Sequence, residues 1–102
     1  QQVPEISSTV LRKQLLGNTP PLLIDVREPY ERAAGHIGGR HIPLGRIEEA
    51  TTLIEECEQV VLYCRSGQRS AKAVRQLREK YGFTHLKNLR GGILAFRAEE
   101  EG

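Results

Sequence analysis

Seven consecutive residues carry most of the chemistry in this chain: Cys64, Arg65, Ser66, Gly67, Gln68, Arg69 and Ser70. They follow an apolar run and lead into a basic amphipathic stretch, so they read as a turn between a strand and a helix. In such a turn successive backbone N–H groups point inward, and the start of the helix adds partial positive charge, which makes a nest for an anion. A thiol at the centre of that nest is favoured as thiolate, and Arg65 and Arg69 add positive charge. The thiolate is the nucleophilic form, so Cys64 is expected to be ionised at neutral pH and to act by covalent catalysis. The competing reading, a buried thiol that merely ends a strand, is disfavoured because polar residues follow at once. The sulfur is therefore expected where chain and solvent meet. Cys57 reads the other way: it continues an apolar helical face, is not part of a C-x-x-C pair, and is assigned to the core.

A second cluster closes another apolar run, with Asp25 and Arg27 at its end. An acid and a base at the end of a buried strand are costly unless paired, so they should bond each other, Glu31 or neighbouring backbone, as scaffold rather than as reacting groups. His36, His41 and His85 are scattered without ligand spacing, which argues against a zinc site. His36 is given a structural role over that of proton donor, since a thiolate held by a nest needs no partner base.

The elements that must position these residues follow from periodicity. Ser7 or Ser8 caps a first helix whose stripe is Val10, Leu11, Leu15 and Leu16 and which ends at Gly17. Residues 18–21 turn, and 22–26 read as a strand buried on both faces, the mark of a parallel sheet. A short helix over 29–34 starts with Pro29 and ends at Gly35. Residues 35–43 form a loop with one short strand. Ile47, Ala50, Leu53, Ile54 and Cys57 define the apolar face of another helix, with Glu48, Glu49, Glu55 and Glu56 opposite. Residues 60–63 are a second buried strand. Ala73, Val74, Leu77 and Tyr81 mark a basic helix closed by Gly82, followed by a weaker strand over 85–89 and a closing helix from Ile93. This alternation predicts an α/β layer structure around a mostly parallel central β-sheet, flanked by helices on both faces and joined by right-handed crossovers. Ligands of such sheets bind beyond the carboxyl ends of the strands, where Asp25, Arg27 and Cys64 stand.

The strand end I-D-V-R-E with Glu31 nearby, G-H-I at 35–37, I-P-L at 42–44, the C-R-S-G-Q-R-S loop and N-L-R-G-G-I-L-A-F at 88–96 together resemble the rhodanese-like sulfurtransferase family over nearly the whole chain. The resemblance implies a rhodanese fold and a persulfide on Cys64 held by the loop amides from Arg65 to Ser70. It also implies no metal and no organic cofactor. The family typically closes with a bulky aromatic, often tryptophan, where this chain has Phe96, a departure that concerns packing. The related phosphatase and arsenate-reductase group places five residues between its cysteine and arginine and usually a histidine before the cysteine. Here the spacer is Arg65 to Gln68, four residues, and Tyr63 precedes the cysteine. The smaller cradle suits one persulfide sulfur and fits a tetrahedral phosphate badly.

The 102 residues suit one domain spanning the chain, and 38% hydrophobic with 27% charged is a globular composition without an apolar run of membrane length. Two cysteines and no signal-like start point to a reducing, cytoplasmic setting. Methionine is absent even at position 1, which points to a cleaved product or a piece of a longer chain. The net charge of +2 hides an asymmetry: between Cys64 and Arg90 eight bases face Glu79 alone, a local +7, and the rest of the chain is −5. That favours a small anionic substrate or an acidic partner. Nucleic acid is disfavoured by five aromatics and the lack of a binding motif. Two functions share the loop. One is an enzyme moving sulfane sulfur from thiosulfate or a persulfide to a nucleophilic acceptor. The other is a sulfur-relay domain of an adenylyltransferase, with protein partners such as a desulfurase donor and a ubiquitin-like carrier. A non-catalytic binding module would normally have lost the cysteine.

Overall fold

Five parallel strands form the sheet of the computed structural model, which describes residues 3–101. The strands are β1 (Glu5–Ile6), β2 (Leu22–Asp25), β3 (Arg40–His41), β4 (Val60–Tyr63) and β5 (Leu86–Leu89), in the spatial order β1-β5-β4-β2-β3. The helices are α1 (Ser8–Leu15), α2 (Pro29–Ala34), α3 (Thr51–Glu55), α4 (Gln68–Tyr81) and α5 (Gly92–Glu101), with a 3₁₀ segment over Leu44–Ala50. β4 lies at the centre, in register with β2 from Leu22↔Val60 to Asp25↔Tyr63 and with β5 from Val60↔Leu86. Both neighbours shield it, so all four of its residues are buried, as the unbroken apolar run requires.

Strand alternation splits the core in two. Val60, Leu62 and Cys64 pack with Ile47, Ala50, Ile54, Ala73, Val74 and Leu77 on one face. Val61 and Tyr63 pack with Leu11, Ile93 and Phe96 on the other. Cys64 thereby faces the side covered by α4, whose N-terminus begins four residues later. No helix among the described residues is long and apolar enough to cross a membrane.

Several expectations shift in detail. α1 is capped as read, with Ser7 Oγ accepting the Val10 N–H at 3.2 Å, a cap of the kind that contributes about 1 kcal/mol. Its stripe is narrower, however: Leu11 is buried, but Val10 and Leu16 are exposed. The helix stops after 8 residues, and Leu16 lies past its last turn. The single helix expected around residues 47–57 is instead the 3₁₀ segment followed by α3, with Arg46 non-helical at φ −121°. Cys57 falls beyond the end of α3 and is half-buried against the core. β1 has no counterpart in the sequence reading, because a two-residue edge strand leaves no periodic signal. Tyr81 is 40% exposed, its hydroxyl donating to Glu48 at 3.1 Å.

Candidate active site

The chain from Cys64 to Ser70 makes the predicted turn. Gly67 adopts φ +98°, a conformation that L side chains rarely take, and α4 starts at the next residue. This single reversal turns the loop amides back over the end of β4. Cys64 Sγ receives the N–H of Gly67 at 3.1 Å, the N–H of Ser70 at 3.4 Å and the Ser70 hydroxyl at 3.3 Å. Burial pushes the Cys64 thiol up. The Ser70 hydroxyl and the N–H groups of Ser70, Gly67 and Arg69 more than offset this, leaving it below its ordinary value.

The expectation that the sulfur lies where chain and solvent meet is corrected: Cys64 is only 1% exposed. The loop closes over its own thiol because the donors that stabilise the anion must approach it, and each displaces water. Arg65, Ser66 and Gln68 are exposed on the outer side of the loop. Of the six loop residues read as substrate-binding, Gly67 and Ser70 touch the sulfur, and Arg69 contributes through its backbone.

The Arg69 side chain meets an acid rather than standing as a free cation. Its Nη1 and Nη2 donate to Glu31 Oε1 and Oε2 at 2.7 and 2.9 Å. Hydrogen bonding to Arg69 holds the Glu31 carboxyl at about 2. Glu31 in turn accepts the N–H of Glu28 at 3.0 Å, completing the capping box of α2. Arg69 therefore bridges the loop to α2.

Asp25 and Arg27 form the predicted pair, with Arg27 Nε and Nη2 donating to Asp25 Oδ1 and Oδ2 at 2.9 Å each. Burial pushes the Asp25 carboxyl up, but these bonds and the Arg27 backbone N–H bring it below the usual carboxylate range. Arg27 Nη2 also donates to Gly35 O at 2.7 Å and anchors the following loop. His36 is exposed, its Nδ1 accepting the Gly38 N–H at 3.0 Å, and it is not among the groups around the sulfur. His41 and His85 each donate Nε2–H to a backbone carbonyl, of Arg27 and Ile54. Among the described residues no three His, Cys, Asp or Glu converge as metal ligands.

Two groups escaped the sequence reading. Asn88, on β5 and 1% exposed, donates Nδ2–H to Gly67 O at 3.0 Å, and its Oδ1 is a second acceptor within hydrogen-bond reach of Ser70 Oγ. The Gly91-Gly92 turn packs directly on the loop: Ile93 N–H bonds Cys64 O at 2.9 Å and Leu94 N–H bonds Arg65 O at 3.1 Å. The only signal for either was the N-L-R-G-G segment itself, which does not state what it touches.

Residues 9–99 match the family model described as the rhodanese-like domain. A sulfurtransferase of Allochromatium vinosum is 39% identical over 95 residues, covering 92% of this chain and 88% of that protein. An adenylyltransferase and sulfurtransferase of Zea mays is 39% identical over 85 residues, covering 76% of this chain and 18% of that one. The crystal structure of a rhodanese-like domain protein from Staphylococcus aureus superposes with a TM-score of 0.82 at 30% identity, covering 91% of this chain and 90% of that one. The chain spans 56% and 54% of the length of two further curated relatives.

Proposed function

The chain belongs to the rhodanese-like sulfurtransferase family, and from that premise we propose that Cys64 carries sulfane sulfur as a persulfide between a small anionic donor and a nucleophilic acceptor. The Cys64 thiolate attacks the outer sulfur of thiosulfate or of another persulfide. A bond forms between Sγ and that sulfur, the donor's S–S bond breaks, and sulfite or a thiolate leaves with the electron pair. An acceptor nucleophile then attacks the outer sulfur, and the pair in the Sγ–S bond returns to Cys64 as thiolate. No net redox change and no cofactor are required. The loop of Arg65, Ser66, Gly67, Gln68, Arg69 and Ser70 forms the donor and persulfide site. Asp25, Arg27 and Glu31 hold the frame beneath it.

The observation that carries this reading is the set of three hydrogen bonds from Gly67 and Ser70 to Sγ, which stabilise a thiolate at the end of the central strand. The four-residue spacer before Arg69 supports sulfur over phosphate as the cargo. A second reading, relay to a protein acceptor in a cytoplasmic pathway, is supported by the adenylyltransferase and sulfurtransferase relative, in which the matching region is a small part. The test is thiosulfate turnover with a small nucleophile such as cyanide as acceptor, in Cys64→Ser and Cys57→Ser. Cys64→Ser should lose activity by at least about a thousandfold, with Cys57→Ser retaining most of it. Parent-like turnover by Cys64→Ser would end the persulfide mechanism.

A further inference from the structure

The Ser70 hydroxyl has two acceptors and one proton. Its Oγ lies 3.3 Å from Cys64 Sγ and in hydrogen-bond contact with Asn88 Oδ1. The Asn88 amide cannot be turned over to change this. Its Nδ2 lies 3.0 Å from Gly67 O, which can only accept, and 3.4 Å from Glu5 Oε2, so both amide hydrogens are spoken for and Oδ1 must face Ser70. All three side chains are buried, with Ser70 at 0% and Asn88 and Cys64 at 1% exposure, so bulk water does not compete for the hydroxyl.

We propose that Asn88 is a positioning residue for Cys64: it competes with the sulfur for the Ser70 hydroxyl proton and so couples the direction of that hydroxyl to the charge on Sγ. With Cys64 protonated, Ser70 donates to Asn88 Oδ1 and its oxygen is free to accept the S–H. With Cys64 ionised, the hydroxyl turns onto Sγ and Asn88 Oδ1 gives up its donor. When a persulfide forms, the charge moves to the outer sulfur and the hydroxyl swings back to Asn88. Ser70 keeps its proton throughout; only the direction of the O–H changes. Asn88 thereby keeps the thiolate less stabilised, and more nucleophilic, than an unopposed Ser70 hydroxyl would leave it.

This inference rests on Cys64 being the nucleophile of the proposed function, but its test needs no sulfur transfer. The charged groups against the triplet among the described residues are Glu5 on β1 with its partner Arg90, and Arg69 on α4 with its partner Glu31 on α2. Glu31, held low by Arg69, and Arg69, held high by Glu31, keep their charges across the range in which a thiol titrates. The experiment is titration of Cys64 by alkylation rate in four chains: the native one, Asn88→Ala, Ser70→Ala and the double variant. Removing the rival acceptor should lower the Cys64 midpoint by roughly half to one pH unit, and that lowering should vanish in the Ser70→Ala background, where only the brace on Gly67 is lost. If Asn88 only braces Gly67, Asn88→Ala would raise the midpoint, in both backgrounds alike, and the proposal would be overturned. Should Asn88→Ala fail to fold, the native chain still decides. The Asn88 side-chain carbonyl carbon, followed by NMR, should shift with the same midpoint as Cys64, and a carbonyl that stays still while the thiol ionises would equally overturn it. Loss of sulfur transfer with the coupling intact would count against the proposed function alone.

Discussion

Arg69 and Glu31 join the cysteine loop to α2 through two hydrogen bonds of 2.7 and 2.9 Å across 38 residues of sequence. Of the two arginines in the loop, one is thus consumed in holding the frame. The stabilisation of a thiolate at Cys64 passes chiefly to backbone N–H groups and to one hydroxyl. A backbone cradle is stiff, cannot be protonated or lost by titration, and acts only over the short distances at which Gly67 and Ser70 stand.

The ion pair makes stability depend on acid in a defined window. A carboxyl whose folded pKa lies below its unfolded value stabilises the fold fully above the unfolded value and loses that contribution as pH falls towards the folded one. For Glu31 the window runs from its ordinary 4.5 down to about 2. Arg69 is 37% exposed, so solvent screening reduces the contribution to about 1–2 kcal/mol. Glu31→Gln should therefore be less stable than the native chain at neutral pH and should lose less stability between pH 4.5 and pH 2. Acid unfolding followed by circular dichroism checks this; identical acid slopes for both chains would show that the pair does not set the window.

Cys64 should titrate below the roughly 8.5 of a free thiol. Ser70→Ala removes one donor from Sγ and should raise the midpoint while leaving the two N–H bonds in place. Ultraviolet absorbance of the thiolate reads this directly, and a native midpoint at or above that of free cysteine would show that burial outweighs the donors.

Gly92 lies at φ +62°, and a Cβ there would stand 2.4 Å from Arg65 O and 2.6 Å from Cys64 O. Gly92→Ala should cost roughly 3 kcal/mol or more and force the turn away from the cysteine loop. Gly38→Ala also meets a positive φ, +103°, but nothing lies within 4 Å of its Cβ, and the cost should stay near the roughly 1–2 kcal/mol of the backbone alone. Denaturant unfolding compares the two, and equal losses would mean that the approach of Gly92 to the loop is not tight.

Inserting one glycine after Gly67 lengthens the spacer from four residues to five and moves the Gly67 and Ser70 donors out of their common reach of Sγ. Sulfur transfer should be lost and the Cys64 midpoint should rise, because each donor acts only at hydrogen-bond distance. The native chain should leave an aryl phosphate intact. Hydrolysis of it by the native chain, abolished in Cys64→Ser, would contradict the assignment to sulfur chemistry.

The linear order of residues determined much of what depends on near neighbours, though not the division of residues 44–55 into a 3₁₀ segment and α3. The apolar runs ending at Asp25 and Tyr63 specified buried parallel strands, and Gly67 and Ser70, within six residues of Cys64, specified a cradle. The Asp25–Arg27 pair could be read because its members lie two positions apart on one strand end. What only the tertiary structure decided involves partners distant in sequence. Glu31 meets Arg69 because α2 and α4 both start at the carboxyl edge of the sheet. Asn88 meets Ser70 and Gly67 because β5 runs parallel beside β4. The depth of Cys64 has the same origin. Exposure is a property of what packs over a residue, and the start of α5, whose Ile93 and Leu94 N–H groups bond the carbonyls of Cys64 and Arg65, comes from the far end of the chain. Local sequence carries propensity and period, whereas the contacts that tune a reactive group are closed by the sheet order, which brings these separated segments together at one end of the sheet.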